Sequence, residues 1–269
     1  MLNIIIPGAA GRMGRRLVAN IAADPELNLA GATEREGSEF LGLDAGTVAG
    51  VGELGIKITE EIGESIRKAD VIVDFSTGKV LEHAELAARN GKAIVIGTTA
   101  LSEEDKEQLK KLADQGARIV LASNYSIGVN LLFYLSEIAA EILPDDFDIE
   151  VIEAHHNQKK DAPSGTAVTL AEILCKARGL DYQEDVRHGR NGIVGARTKH
   201  EIGMHSIRGG DIVGDHTVLF AALGERVELT HKASSRDTFA KGALRAARFL
   251  ASAKPGFYDM QDVLGLKKS

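Results

Sequence analysis

The chain has no tryptophan and a single cysteine, Cys175, in 269 residues. One cysteine excludes an intrachain disulfide and points to a reducing compartment. It sits in TLAEILCKAR, with Leu170, Ile173 and Leu174 at helical spacing, which predicts a small core residue instead of a reactive thiol. No apolar run approaches the ~20 residues of a membrane span. The run in MLNIIIPGAAGRMG is too short for a secretory signal, so the expectation is a cytoplasmic protein. A positive charge excess is missing too: the formal net charge of -7 argues against non-specific nucleic-acid binding. Aromatic residues are scarce at 4%, whereas glycine is plentiful at 29 residues, a balance that suits a cofactor-binding α/β enzyme better than an aromatic-rich interaction module. With 44% apolar and 26% charged residues, the chain has the composition of one large globular domain or two modest ones.

What is present begins with alternation. LNIIIPG reads as a buried strand, RMGRRLVANIAAD as a helix with Leu17, Val18 and Ile21 on one face, and LNLAGATE as a second strand. The glycine-rich stretch REGSEFLGLDAGTVAGVGELG has little periodicity and reads as an excursion over the sheet edge. After it come IKIT as a weak strand, EEIGESIRKA as a short helix, and strands DVIVDFS, KAIVIGTT and ARIVLASN with helices between them. Ser102 and Asp105 have capping-box spacing. Strands alternating with helices predict a Rossmann-like, doubly wound parallel sheet. From GVNLLFYLSEIAAEIL onward the pattern changes. FDIEVIEA is a strand, GTAVTLAEILCKARG a helix, and GMHSIRGGDIVGDHTVLFAALGERVELTHKAS a run of strands without helices. The second domain is therefore expected to be α+β with a mostly antiparallel sheet. The boundaries fall at 1–125 plus 235–269 and 126–234, with the helix DTFAKGALRAARFLAS returning to the first domain.

GAAGRMG, Gly8 to Gly14, does not match G-x-G-x-x-G in register with Gly8, but read from Ala9 it places Gly11 and Gly14 correctly. Either way the backbone is bare where a pyrophosphate would approach a helix start, and Arg12, Arg15 or Arg16 would add charge. A glycine turn without a ligand suits this segment equally when it is read alone. Its context favours a dinucleotide: a strand before it, a helix after it, and Glu34 ending the second strand, where a carboxylate accepts ribose hydroxyls. Arg35, beside it, would face a 2′-phosphate or stack on adenine. Glu34 suits NAD and Arg35 tolerates NADP, so both NADH and NADPH stay open. Later strand ends carry DFST, IGTT and ASNYS, where ligands of open α/β sheets bind.

EAHHNQKKDAPSGTA, Glu153 to Ala167, concentrates groups that titrate, donate or fix backbone angles. A metal site is one reading, but the adjacent histidines have no cysteine partner and no H-E-x-x-H helix, and no metal is expected. A solvated loop is a second reading; it accounts for Lys159 and Lys160 but not for DAPSGTA. The third is an anion-binding acid–base site. Ser164 would cap a helix that opens with Gly165 and Thr166, whose N–H groups suit a carboxylate. Lys159 adds charge, and His155 exchanges protons near neutral pH. Beside a cofactor domain, this describes reduction of a C=C or C=N bond in an anionic substrate.

EVIEAHHNQKKDAPSGTA resembles the signature of the 4-hydroxy-tetrahydrodipicolinate reductase (dihydrodipicolinate reductase) family. GAAGRMG, ATEREGS, IGTT, ASNYSIGVN, GDIVGDHTV and ELTHKASSRDTFA resemble that family in the same order, over nearly the whole chain. The resemblance implies that His155 is the proton donor/acceptor and Lys159 a proton donor, and that His156, Lys159, Ser164, Gly165 and Thr166 hold the substrate's carboxylates. It implies a cofactor, NADH or NADPH, lined by Gly8, Ala9, Ala10, Gly11, Arg12, Met13, Glu34, Arg35, Gly97, Thr98, Thr99, Ala122, Ser123, Asn124 and Tyr125. Tyr125 stands where the family commonly has Phe. The same resemblance makes 1–125 plus 235–269 the dinucleotide-binding domain and 126–234 the substrate-binding and oligomerisation domain of a homotetramer in the diaminopimelate route to lysine. Two alternatives remain: a non-catalytic dinucleotide sensor, and a related two-domain dehydrogenase acting on aspartate or a sugar acid.

Overall fold

The computed structural model describes residues 1–98 and 101–267. The chain divides into two compact units, Met1–Ile127 with Arg236–Ser269, and Gly128–Ser235. The first opens with β1 (Leu2–Pro7), α1 (Arg12–Ala22) and β2 (Leu27–Thr33). Next come α2 (Ala45–Ala49), β3 (Ile58–Thr59), a 3₁₀ turn at Gly63–Arg67, β4 (Val71–Asp74), α3 (Val80–Arg89), β5 (Ala93–Ile96), α4 (Glu103–Asp114) and β6 (Arg118–Leu121). The aperiodic excursion is ordered largely by Asp44, whose carboxylate accepts from the N–H groups of Gly46, Thr47, Leu54 and Ile56. The Ser102–Asp105 capping box forms at the start of α4.

In the second unit the chain runs through α5 (Ile127–Ile142), β7 (Asp148–His155), α6 (Gly165–Arg178), α7 (Tyr182–Asp185), β8 (Val186–His188), β9 (Ile202–Arg208), β10 (Gly214–Ala222) and β11 (Glu225–Ala233). It returns to the first unit as α8 (Asp237–Ser252), β12 (Gly256–Tyr258) and α9 (Met260–Leu264).

The first sheet is parallel, in the order β12-β6-β5-β4-β1-β2-β3. Its central strands carry short runs of consecutive apolar residues, III in β1, VIV in β4 and AIVI in β5, because both faces are covered. Ile4, Ile6, Val71, Val73, Val95 and Val120 share a core with Leu17, Val18 and Ile21 of α1 and with Leu244 and Leu250 of α8. Ile5, Ile72, Ile94 and Ile119 point the other way, toward Ala84 of α3 and Leu109 of α4. The returning helix α8 thus shares one core with α1, and β12 adds a strand beside β6.

The second sheet is mixed, in the order β11-β10-β7-β9-β8. Strand β10 runs antiparallel to β11, to which the tight turn at Leu223–Gly224 joins it, and antiparallel to β7 on its other side. Strands β7 and β9 are parallel, as are β9 and β8: α6 and α7 carry the chain back across the sheet from β7 to β8, and the loop at 189–201 carries it back again from β8 to β9. Cys175 is buried in the core beneath this sheet, and burial pushes its thiol up to about 11. The core-residue reading of Cys175 is the one the structure supports.

Charged groups fasten the loop between β8 and β9. Arg190 forks onto Glu150 at 3.0 and 2.8 Å and reaches Glu201 at 2.7 Å; Arg197 Nε donates to Glu150 at 3.0 Å, and His205 Nε2 lies 2.7 Å from it. Burial alone would raise the Glu150 carboxyl, but hydrogen bonds from Arg190, His205 and Arg197 bring it from 4.5 down to about 2. A lowered carboxyl pKa contributes stability that is fully present above pH 4.5 and lost as the pH falls toward about 2. Glu150→Gln should therefore flatten the dependence of unfolding free energy on pH in that window, by up to about 1.4 kcal/mol per pH unit. Urea titrations at pH 5, 4 and 3 measure this slope, and an unaltered slope removes Glu150 as its source.

Candidate active site

At the end of β1 the backbone turns through Gly8, with φ at +67°, into α1. A Cβ on Gly14 would lie 2.1 Å from the Gly8 carbonyl oxygen, so glycine is needed for this helix to begin against the turn. Gly11 is the N-cap, without a side-chain cap and without an acid in the first turn, which leaves early helix N–H groups facing outward. Ala9 and Ala10 are buried, Met13 packs on the core, and Arg12 is exposed. The other two arginines have structural partners. Arg15 Nε donates to the Ala10 carbonyl at 2.7 Å and lies over the Phe40 ring, and Arg16 forks onto Asp237 at 2.6 Å.

Glu34, at the end of β2, accepts the Ala10 N–H at 2.9 Å and the Arg35 N–H at 3.3 Å. A groove of about 530 Å³ runs here, lined among others by Gly8, Gly11, Glu34, Arg35, Ser76 and His83. Its size falls within the ~300–1,000 Å³ common for small-ligand sites. Below it, buried Asp74 accepts the Ser76 N–H at 2.7 Å and lies 2.7 Å from His83 Nδ1. Thr98 Oγ1 donates to the Ser76 carbonyl at 2.6 Å, and the Gly97 N–H donates to the Asp74 carbonyl. Thr99 lies outside the described residues.

Beyond β6, Ala122 is half-buried, Ser123 is exposed, and Asn124 accepts the Ser126 N–H through Oδ1. Tyr125 is only 2% exposed, its ring tilted against Phe75 with centroids 5.3 Å apart. Its hydroxyl donates to the Ile96 carbonyl at 2.7 Å, and burial pushes its pKa well above the usual value. The Tyr125 side chain therefore braces the ends of β5 and β6.

In the second unit, Glu153 and His155 are two apart on β7 and so share a face. Glu153 is fully buried, and its Oε2 lies 2.6 Å from His155 Nδ1. Arg208, on the neighbouring β9, forks onto Glu153 at 2.9 and 2.8 Å and also donates to the Asp161 carbonyl at 2.8 Å. Burial would raise the Glu153 carboxyl, but hydrogen bonds from His155 and Arg208 hold it well below the usual carboxylate range.

The Ser164 N–H donates to Glu153 Oε1 at 3.2 Å, which pins the start of α6 to the end of β7. Ser164 caps that helix by accepting the Ala167 N–H, so Gly165 and Thr166 form its first turn. Gly165 is exposed and Thr166 buried. His156 is half-buried in the loop, where its carbonyl accepts the Lys159 N–H. Lys159 Nζ pairs with Asp161 at 2.8 and 3.0 Å, and that pairing lowers the Asp161 carboxyl.

His216 of β10 completes the cluster. It is 3% exposed, with its ring 5.2 Å from that of His155 and its Nε2 3.1 Å from Ser164 Oγ. Burial first, and then the neighbouring His155, push it down to about 3. Among the described residues no group of three or more His, Cys, Asp or Glu side chains could hold a metal ion, and no helix is long and apolar enough to cross a membrane.

Sequence reasoning named His155, Lys159 and Ser164 but passed over Glu153, Arg208 and His216. The first was legible, since an acid two residues before a histidine on a strand shares its face. The other two come from β9 and β10 and enter only through sheet register: Arg208 pairs with His155, and His216 with Glu153.

Comparisons with known proteins agree over both units. A family model described as dihydrodipicolinate reductase, N-terminus, matches residues 2–125, and one described as dihydrodipicolinate reductase, C-terminus, matches residues 128–264. Proteins named 4-hydroxy-tetrahydrodipicolinate reductase from Syntrophotalea carbinolica and Hahella chejuensis are each 50% identical over 99% of this chain and 100% of their own length. A solved dihydrodipicolinate reductase from Paenisporosarcina sp. TG-14, described as dipicolinate-bound, superposes with a TM-score of 0.75 at 25% identity, covering 97% of this chain and 98% of that one. With both family models and full-length relatives in agreement, the chain belongs to the dihydrodipicolinate reductase (4-hydroxy-tetrahydrodipicolinate reductase) family of nicotinamide-dependent oxidoreductases.

Proposed function

We propose that the chain reduces 4-hydroxy-tetrahydrodipicolinate to tetrahydrodipicolinate, with loss of water, in the diaminopimelate route to lysine. The observation that carries the site assignment is the Glu153 carboxylate, bonded at once to His155 Nδ1 and to the Ser164 N–H that opens α6. It ties a proton-exchanging ring to a helix N-terminus suited to an anion.

The first unit is the dinucleotide-binding domain. Its fit to the cofactor rests on the Gly8–Gly14 turn, where a side chain at residue 14 would strike backbone, and on the Glu34 carboxylate fixed beside that turn. Arg12 would face the phosphates and Arg35 the adenosine ribose. The backbone at Gly97 and Thr98 and at Ala122 to Tyr125 would line the nicotinamide end. When bound, a reduced nicotinamide cofactor, NADH or NADPH, supplies a hydride to the substrate's C4.

The second unit is the substrate-binding domain. His156, Lys159, Ser164, Gly165 and Thr166 hold the two carboxylates, with Lys159 exchanging Asp161 for a substrate carboxylate. The C4 hydroxyl leaves with a proton as water, which conjugates the ring; after reduction at C4, His155 delivers a proton to C3, with Lys159 as the second proton donor. The balance is substrate plus NAD(P)H plus a proton, giving product, NAD(P)⁺ and water. The proposed homotetramer would be joined through the face of the second sheet that presents the partly exposed Ile152, Ile207 and Leu219, and sedimentation tests it against 28.7 kDa per chain.

The test of function follows the loss of NAD(P)H absorbance with the cyclic product of pyruvate and aspartate semialdehyde. Cofactor binding without oxidation would support the dinucleotide-sensor alternative instead. Lys159→Ala should lower kcat about tenfold and raise the substrate KM about tenfold, because it removes both a proton donor and a positive charge. Unchanged steady-state constants place Lys159 outside the site.

A further inference from the structure

We propose that Glu153 is a positioning residue for His155: its carboxylate keeps the ring proton on Nδ1 and leaves Nε2 as the atom that exchanges a proton with substrate. This deepens the preceding proposal and rests on its assignment of His155.

The argument starts from what a buried carboxylate can do. An ionised carboxylate only accepts hydrogen bonds, through both oxygens. Arg208 donates to both oxygens of Glu153 and the Ser164 N–H to one of them, so the surroundings favour the ionised form. The 2.6 Å contact to His155 must then have Nδ1 as the donor. In neutral imidazole that makes Nε2 the acceptor, and in the imidazolium it makes Nε2–H the transferable proton.

The Nε2 side is kept clear by a glycine. A Cβ on Gly214 would stand 3.1 Å from Nε2, so any larger residue there would crowd the reactive edge of the ring. The charged and titratable groups around the ring come from every neighbouring element: Glu153 on β7, Arg208 on β9, His216 on β10, and Lys159 and Asp161 in the loop. His216 lies edge-on to His155 and is held neutral by burial, so it adds no second positive charge beside a protonating ring. The arrangement shares its logic with serine-hydrolase triads, whose buried acid fixes the histidine tautomer; replacing that acid by its amide costs ~10⁴-fold.

Glu153→Gln removes the charge while keeping the shape, and its amide can present an N–H that inverts the tautomer. We expect a kcat ten- to a hundredfold lower, with the substrate KM within about threefold. A purely structural role would change folding and KM together and would multiply with other losses. The deciding measurement is the double variant: in a His155→Ala background, Glu153→Gln should cost less than about twofold further, because it acts through a ring no longer present.

Should the glutamine variant not fold, Glu153→Asp carries the same test. It keeps the charge opposite Arg208 but draws it back by one methylene, and at least a tenfold loss of kcat is expected, again absent in the His155→Ala background. Full activity in Glu153→Gln or Glu153→Asp, with His155→Ala impaired, overturns the positioning role alone. The same holds if the losses multiply. Full activity in His155→Ala overturns the His155 assignment itself.

Discussion

His155→Ala should lower kcat by about 10²–10³-fold, the usual range for loss of a positioned general acid. The expectation follows from where the ring stands. Its Nδ1 is held by Glu153 at 2.6 Å, its Nε2 faces the space left by Gly214, and α6 begins beside the same carboxylate. Cofactor affinity should move by less than about threefold, because the glycine turn and Glu34 belong to the first unit and His155 to the second. Alanine also removes one donor from a buried carboxylate, worth ~1–3 kcal/mol. His155→Asn is the control: its amide N–H can still face Glu153, so it should recover most of that stability while remaining as slow as alanine. Stopped-flow turnover with NADH, read beside thermal unfolding, separates these effects. A kcat within threefold of the parent in both variants removes His155 from the chemistry.

The parallel sheet of the first unit was legible in the sequence because its strands carry short apolar runs, VIV in β4 and AIVI in β5, separated by helices with apolar stripes, of which α3 and α4 also have acids in the first turn. The Ser102–Asp105 and Ser164 caps were legible because capping is local chemistry, complete within four residues. β12 was not legible: three residues give no periodicity, and their strand character comes from pairing with β6, which begins 138 positions earlier at Arg118. The parallel pairing of β7 with β9 was hidden for a similar reason. The strand pattern shows two strands, and only the path through α6, β8 and the loop at 189–201 fixes their relative direction.

At the site, the His-Lys stretch named the chemistry, but its electrostatics come from elsewhere. Arg208 reads in the sequence as one more strand-end arginine. Its significance lies in the register that sets it opposite His155 and lets it reach Glu153.

That register gives Arg208 the largest expected effect on stability. Arg208→Met should destabilise the protein by about 3–5 kcal/mol, the range for removing one partner of a buried ion pair. The reason is asymmetry. The pair itself adds little beyond what burying two charges costs, but Glu153 without Arg208 is a fully buried carboxylate left with His155, the Ser164 N–H and the Ser206 hydroxyl, and without the guanidinium charge. Arg208 also holds the Asp161 carbonyl, so the loop that carries Lys159 loses an anchor at the same time. The double variant Glu153→Gln/Arg208→Met removes both charges and should recover more than half of the loss, as when a buried pair is replaced by neutral groups. Urea unfolding followed by far-ultraviolet circular dichroism provides the comparison, since the chain has no tryptophan to report it. A single variant within about 1 kcal/mol of the parent, or a double variant less stable than the single, would mean that the Glu153 charge is relieved by water or proton uptake and does not depend on the guanidinium.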